Sequence, residues 1–357
     1  MEDNSTQKKS RKKGWVTAGF FAFSLVVVAI IAIMEFGGDR DRHLDNQAFN
    51  FAYLAAAIGC FLVGLLCESV KYAFLLRRRG VNHRRTLGFT CAVIGKYYDN
   101  ITPAGAGGQG FQMYHLSKHG CDSGTAGGLP IIGFLGLQFA FVLIGILTMI
   151  FGRDYLGDLV VIKATAIAGL VFYAFIPCCI IFFAIAPNVL ENIIKWGTKT
   201  GGKLHIIKDP ETASEKAINS LQSYTDALRT FGRSTYQIII VGILSVIYQL
   251  AFMALPFFVL HFFGADIGFV ECFCRLVYIY AAMAIIFTPG NSGAAEASFY
   301  MVFDSLSGGA IFWGMLVWRA LCYYSWIVLG AIVQLHERLS RKRRIKASAA
   351  NIEKTQS

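Results

Sequence analysis

The sequence predicts an all-α polytopic membrane protein, with about six full transmembrane helices and two re-entrant broken-helix units in an inverted-repeat arrangement. Three observations lead to this prediction. The chain of 357 residues is 55% hydrophobic and only 15% charged, with a mean hydropathy of +0.52, which excludes an ordinary soluble domain. Long apolar runs alternate with short polar segments. Proline and glycine interrupt two of the apolar regions in similar patterns.

The apolar runs that are long enough to cross a bilayer, which takes about 20 residues, define the predicted spans. They are residues 15–36, 49–76, 125–151, 159–186, 235–263 and 310–336. The first run follows basic residues as in a signal peptide, but its length and the lack of a small-residue cleavage site predict a retained span. The expected organisation is a basic tail over residues 1–14, a transmembrane domain over residues 15–336 and a basic tail over residues 337–357.

The longest segment between spans covers residues 188–234 and is expected to lie in the cytoplasm. Asp209 followed by Pro210 is a favourable helix start. The apolar side chains after it fall on one helical face: Ile218, Leu221, Tyr224, Leu228 and Phe231. This pattern predicts an amphipathic helix that either lies on the inner membrane surface or packs on the other cytoplasmic loops.

Two stretches interrupt apolar sequence in the same way. One is Thr102-Pro103-Ala104-Gly105-Ala106-Gly107-Gly108-Gln109, and the other is Thr288-Pro289-Gly290-Asn291-Ser292-Gly293-Ala294-Ala295-Glu296. Proline removes a backbone donor and consecutive small residues do not sustain a helix, so such a stretch persists at membrane depth only where protein or a wet cavity surrounds it. Broken helices at corresponding positions of two halves are typical of a transport site.

The basic residues predict how the chain is oriented. They are concentrated in residues 1–14, 77–85, 188–234 and 337–357, which the positive-inside rule places in the cytoplasm together with both termini. That arrangement requires each Thr-Pro unit to enter and leave the membrane on one side, the first from the cytoplasm and the second from outside. The net charge of +11 is therefore attributed to membrane orientation, and no nucleic-acid partner is expected.

Two charged residues follow the second break at membrane depth. Glu296 either binds substrate or caps the free amides and the next short helix. Arg319 lies about ten residues into the last span, or about 15 Å deep, which is near the bilayer midplane. There it either pairs with Glu296 or contacts a phosphate, whose geometry the guanidinium matches.

The remaining charges within apolar sequence have simpler interpretations beside functional ones. Lys96 and Asp99 precede the first break and either line a polar cavity or neutralise each other. Glu271 and Arg275 are spaced for an ion pair within one helix. Glu68 and Lys71 lie near the expected cytoplasmic end of a span, where their charged ends should reach the interface.

Motifs for metal, nucleotide or redox chemistry are absent from the sequence. The nine cysteines contain no Cys-x-x-Cys pair and form no His/Cys cluster with zinc spacing, so they are expected to be buried free thiols. Neither a phosphate-binding GxxxxGK[ST] loop nor an HExxH motif occurs. No cofactor and no metal site are predicted, and an ATP-driven pump is disfavoured.

The residues around the two breaks carry a family resemblance. Pro289-Gly290-x-x-Gly293-x-x-Glu296 resembles the P-G-x-x-G-x-x-E signature of the lysylphosphatidylglycerol synthase/flippase transmembrane family. Asn100-Ile101-Thr102-Pro103, followed by Gly107-Gly108-Gln109 and Phe111-Gln112, resembles the first conserved stretch of that family. The chain departs from the family pattern at Gly290-Asn291, where two glycines are common, and at Gly108-Gln109, where many members carry an acidic residue.

The breaks and the resemblance together select one set of candidate substrate-binding residues. The set is Asp99, Thr102, Pro103, Gly107, Gly108, Gln109, Gln112, Pro289, Gly290, Gly293, Glu296 and Arg319. The glycines are expected to serve backbone shape, and the glutamines to hydrogen-bond a headgroup. No catalytic residue is predicted.

The resemblance implies translocation of a phospholipid between leaflets of a bacterial cell membrane, with lysyl-phosphatidylglycerol as the best-known cargo and an effect on surface charge and cationic-peptide resistance. Two alternatives remain open. One is the membrane component of a phosphatidylglycerol lysyltransferase that needs a separate aminoacyltransferase chain, because residues 188–234 are fewer than the ~50 residues of a small domain. The other is an ion-coupled transporter of a soluble solute. The expected partners are phospholipid and membrane, and oligomeric state is left open.

Overall fold

The structure is a computed structural model that describes residues 49–82, 84–102, 107–156, 160–203, 209–285, 291, 293–306 and 308–356. Within these ranges the chain is helical and contains no β-strand. The helices are α1 (Phe51–Arg78), α2 (Arg84–Ile101), α3 (Gly108–Lys118), α4 (Ser123–Phe151), α5 (Val160–Ile185), α6 (Pro187–Lys203), α7 (Pro210–Gly232), α8 (Thr235–Phe262), α9 (Phe269–Met283), α10 (Ala294–Phe303), α11 (Gly308–Arg319) and α12 (Ser325–Gln356).

The described part of the chain contains five helical segments that are long and apolar enough to cross a membrane. They are Phe51–Arg78, Ser123–Phe151, Val160–Ile185, Thr235–Phe262 and Gly309–Ser340. Each matches a predicted span to within a few residues at its start, because the same apolar run defines both. The last span is not one regular α-helix, since a π-helical turn over Ala320–Tyr324 joins α11 to α12. The predicted first span, residues 15–36, lies outside the described residues.

Small residues let the spans approach one another closely. Gly64 of α1 lies against the ring of Phe252 on α8, and Gly169 of α5 lies against the backbone carbonyl of Ala281 on α9. A methyl group at either glycine would overlap its neighbour. Close backbone approach of this kind is the usual basis of helix association in membranes, where apolar burial alone gives little driving force between helices.

The first Thr-Pro stretch separates two helices that form a hairpin. Near its start, α2 contacts the end of α3. The Thr90 hydroxyl there lies 2.8 Å from His115 Nε2. At the other end of the hairpin, the Gly108 amide donates to Asp99 Oδ1 across 3.0 Å. Helix α3 therefore runs back antiparallel along α2 and returns towards the end where α2 begins.

The second Thr-Pro stretch also separates two antiparallel helices. Arg275, early in α9, donates from Nη1 to the Val302 carbonyl near the end of α10 across 2.7 Å. The same side chain forms the expected ion pair with Glu271, at 2.6 Å. Helix α9 has 15 residues, a length of about 22 Å, which is shorter than the ~30 Å hydrocarbon core.

The segment predicted to be cytoplasmic contains the helix that was predicted after Asp209, α7, and a further helix before it, α6. Asp209 caps α7 as predicted, since its Oδ1 accepts from the Thr212 amide at 3.2 Å. Helix α7 packs on the first turns of α4, where Gly127 lies against the Tyr224 ring and Gly128 against Ala227. The apolar face of α7 is thus partly used to cover α4.

Glu68 and Lys71 do not reach the interface, so that expectation is wrong. Their side chains are 2% and 0% exposed and form an ion pair with each other. Lys71 Nζ also donates to the Gly133 carbonyl of α4 at 3.3 Å. Helix α4 contacts α1 at this point, and the Lys71 side chain is enclosed by protein instead of extending to water.

The buried Glu68–Lys71 pair gives a prediction about stability. Lys71→Met should destabilise the protein by about 3–5 kcal/mol, because Glu68 is left as an unpaired buried charge. The measurement is thermal unfolding of detergent-purified protein. Arg153→Met is the matched control, because the Arg153–Asp154 pair is 75% and 89% exposed and its loss should leave the midpoint unchanged. Equal midpoints for both variants would contradict the assignment.

Candidate functional site

A cavity of about 280 Å³ lies between the described residues beside the two breaks and the last span. A single water needs only about 10–15 Å³ of such space, so the cavity has room for several waters and for a polar headgroup. The lining includes charged and amide side chains from both hairpin tips and from the last span: Lys96, Asp99, Asn100, Gln109, Asn291 and Arg319. Aromatic side chains complete the wall: Tyr173, Tyr248, Tyr280, Trp318, Tyr323 and Trp326.

The second break has an unusual backbone that Glu296 holds in place. Asn291 and Gly293 have φ values of 53° and 86°, in the left-handed region that glycine and, less readily, asparagine adopt. Glu296 Oε2 accepts from the Gly293 amide at 2.7 Å and thereby caps the start of α10. The carboxylate is 1% exposed, so this contact is made inside the protein.

The other oxygen of Glu296 binds Arg319. The Arg319 Nε donates to Glu296 Oε1 at 2.7 Å, and the guanidinium lies 5.1 Å from the Tyr323 ring centre and 3.5 Å from the Asn291 carbonyl. The cap and the ion pair considered for Glu296 are therefore both present. Arg319 lines the cavity whereas Glu296 does not, so the carboxylate acts on the cavity through the arginine that it positions.

The first break is held by side chains that precede it. The Thr102 hydroxyl accepts from the Gly107 amide at 2.9 Å and donates to the Tyr98 carbonyl at 2.7 Å. Asp99 accepts from the Gly108 amide at the start of α3, where the helix dipole favours a negative charge. A methyl group on Gly108 would collide with the Asp99 carboxylate and the Gly95 carbonyl, so glycine is needed for this close approach.

The last span joins the first hairpin at its π-helical turn. The Asn100 amide donates to the Tyr323 carbonyl at 3.3 Å, and the Tyr323 hydroxyl donates to the Asn100 carbonyl at 3.3 Å. A π-turn displaces the following residues from regular helical positions and is common at functional sites. Here it brings Tyr323 against the first hairpin, while Arg319, just before the turn, holds the second.

Two further side chains place a positive charge and a hydrogen-bond donor on the cavity wall. The Lys96 ammonium lies 4.8 Å from the centre of the Tyr248 ring, a cation–π contact that leaves the charge on the cavity wall. The buried indole N–H of Trp326 has no hydrogen-bond partner among the described residues. Both groups suit an anionic guest, and Asp99 on the same wall suits a cationic one.

All the predicted site residues except Gln112 fall into three groups. Asp99, Gln109 and Arg319 line the cavity. The described residues that shape the breaks or hold them are Thr102, Gly107, Gly108, Gly293 and Glu296. Pro103, Pro289 and Gly290 lie outside the described residues.

Gln112 has a different place from the one expected of a headgroup ligand. Its side chain is 5% exposed, accepts from the Tyr72 hydroxyl at 3.2 Å and donates to the Cys91 carbonyl at 3.0 Å. These bonds tie α3 to α1 and α2 outside the cavity. Conversely, Tyr248, Tyr323 and Trp326 line the cavity but had no distinguishing signal, because apolar helices contain many aromatic residues.

The fit of Gly108 against Asp99 can be tested with a neighbouring glycine of the same helix. Gly108→Ala should destabilise the protein by about 1–3 kcal/mol, because the methyl group meets backbone as well as side chain. Gly110→Ala should be neutral or stabilising, since its added carbon meets open space and alanine favours helix. Thermal unfolding in detergent distinguishes them, and a neutral Gly108→Ala would refute the packing described.

Comparisons with known proteins identify the family of this chain. The sequence model of the family described as "Lysylphosphatidylglycerol synthase TM region" matches residues 22–330. A "UPF0104 membrane protein" from Archaeoglobus fulgidus is 24% identical over 246 residues, which cover 65% of this chain and 70% of the relative. The family match extends over both hairpins and the spans around the cavity. The chain therefore belongs to the lysylphosphatidylglycerol synthase transmembrane-region family.

Proposed function

We propose that this protein translocates a phospholipid between membrane leaflets, with the headgroup passing through the cavity while the acyl chains stay in lipid. The observation that carries the proposal is that residues beside the breaks of two folded-back helical hairpins border one partly open cavity lined by polar and aromatic side chains. Moving a charged headgroup through hydrocarbon is very costly, and a wall of fixed polar groups removes much of that cost.

The proposed topology follows from the hairpins and the basic segments. Each hairpin enters and leaves the membrane on one side, the first from the cytoplasm and the second from outside, so that their tips meet at mid-depth. Both termini and helices α6 and α7 then lie in the cytoplasm, as the positive-inside rule requires. The antiparallel course of α2 and α3, and of α9 and α10, supports this arrangement.

The charges of the cavity suggest the chemistry of the cargo. A lipid phosphate would be bound by Lys96, Arg319 and the Trp326 indole, since charge-assisted hydrogen bonds are the strongest available. An amine on the same headgroup would lie at Asp99. Lysyl-phosphatidylglycerol or a related aminated lipid carries both groups, and its export would alter surface charge and resistance to cationic peptides.

The proposal predicts that a cavity lysine is required for transport. Lys96→Met should slow translocation by about tenfold to a hundredfold, the cost of one lost charge-assisted hydrogen bond. The measurement is a leaflet-resolved assay in proteoliposomes with a panel of lipids that differ in headgroup. Lys195→Met removes the same charge from the exposed surface of α6 and should transport at the wild-type rate.

Two results would contradict the proposal. If well-folded Lys96→Met protein moves every lipid at the wild-type rate, the cavity is not the route. If the wild-type protein moves no lipid but accumulates a soluble solute when an ion gradient is applied, the result would support the solute-transporter alternative. Lysyl-lipid formed from lysyl-tRNA and phosphatidylglycerol when this chain is combined with a separate aminoacyltransferase chain, and not by either alone, would favour the lysyltransferase alternative.

A further inference from the structure

A second cluster of chemically active side chains lies away from the cavity, where the end of α3 meets α12. His115 and His119 are one turn apart on α3, and Glu337 faces them from α12. One nitrogen of each ring and one carboxylate oxygen lie within 4.8 Å of one another. His115 Nδ1 is 3.2 Å from Glu337 Oε1, and the two imidazole centres are 4.4 Å apart.

Hydrogen bonds to the two rings determine which nitrogen of each neutral ring carries the lone pair. The Thr90 hydroxyl lies 3.2 Å from the Leu87 carbonyl, which only accepts, so it donates there and accepts from His115 Nε2–H at 2.8 Å. His119 Nδ1 donates to the His115 carbonyl at 2.8 Å. In the neutral rings, lone pairs are therefore left on His115 Nδ1 and His119 Nε2.

Three electron-pair donors thus converge, and a positive species between them would stabilise the arrangement. Lys118 supplies part of the positive charge, because its Nζ contacts Glu337 Oε2 at 2.9 Å. A proton on His115 would satisfy the contact with Glu337 but would leave His119 without a role. A metal ion satisfies all three donors at once, with Thr90 and the His115 carbonyl orienting the two rings as metal-binding histidines require.

We propose that His115, His119 and Glu337 bind a divalent first-row metal ion, with Zn²⁺ as the best match to two imidazoles and a carboxylate. Tetrahedral zinc with bonds near 2.1 Å sets its ligand atoms about 3.4 Å apart. The His115–Glu337 pair already has this spacing, and the exposed His119 ring closes the rest by rotation. Exposure on this side leaves a fourth position for water.

The metal would connect two elements that border the cavity. Helix α3 carries Gln109 into the cavity wall, and α12 continues the span that carries Arg319. A bound ion would link the end of α3, which lies at the opposite end of the first hairpin from the break, to the end of the last span. The site does not depend on lipid transport, so its test is independent of the proposed function.

Zinc binding by the metal-stripped, full-length protein in detergent tests the proposal, using a purification tag without histidine. Calorimetry and elemental analysis should give one zinc per chain, and zinc should raise the unfolding temperature. His119→Ala and Glu337→Gln should each weaken binding at least about tenfold, in line with the cost of disturbing a metal site. Lys118→Met should strengthen binding, because it removes the cation that competes for Glu337.

His261→Ala is the matched control. His261 Nδ1 lies 3.0 Å from the Phe257 carbonyl, in the same i, i−4 arrangement as His119, but His261 is not part of the cluster. This variant should bind zinc as the wild type does. The proposal is overturned if the wild type binds no zinc, or if His119→Ala binds it unchanged. It is overturned equally if zinc fails to raise the unfolding temperature of the wild type, since the contacts would then be only an ion pair of Lys118, His115 and Glu337.

Discussion

The buried ion pair between Glu296 and Arg319 is the interaction on which the cavity depends. One carboxylate fixes the left-handed turn of the second break through Gly293 and holds the arginine that lines the cavity. Charges buried in this way are stable only when paired and hydrogen-bonded, because desolvation costs several kcal/mol per ion. The pair thus joins the second hairpin to the last span without leaving an uncompensated charge in the protein interior.

The first hairpin also uses a carboxylate to satisfy a backbone amide beside its break, in this case that of Asp99. Its returning helix begins at Gly108 under the carboxylate of Asp99, as α10 begins under that of Glu296. In both hairpins an acidic side chain satisfies amides that the break leaves free, which water would otherwise have to do. Asp99 precedes the first break, whereas Glu296 follows the second. The last span contacts both hairpins, through Tyr323 and Arg319.

The sequence was sufficient to predict the five spans that the described residues contain, the positions where the two hairpins are interrupted, and the Glu296–Arg319 contact as one of two alternatives. Apolar runs determine where spans begin, and proline with glycine determines where helices break, so these features are local. The partners of Gln112, Lys71 and Tyr323 lie on other helices and depend on packing that a single sequence does not reveal. His115 and His119 are spaced for one helix face, but Glu337 joins them only in the fold.

The most direct test of this account is a double-mutant cycle on Glu296 and Arg319. Unfolding free energies would be measured in detergent for Glu296→Gln, Arg319→Gln and the double variant. Each single change is predicted to cost about 3–5 kcal/mol because it leaves a buried charge unpaired. The double variant leaves no charge unpaired, so it should cost less than either single variant, which corresponds to a coupling energy of at least about 3 kcal/mol. Strictly additive effects of the two substitutions would contradict the central role of this pair.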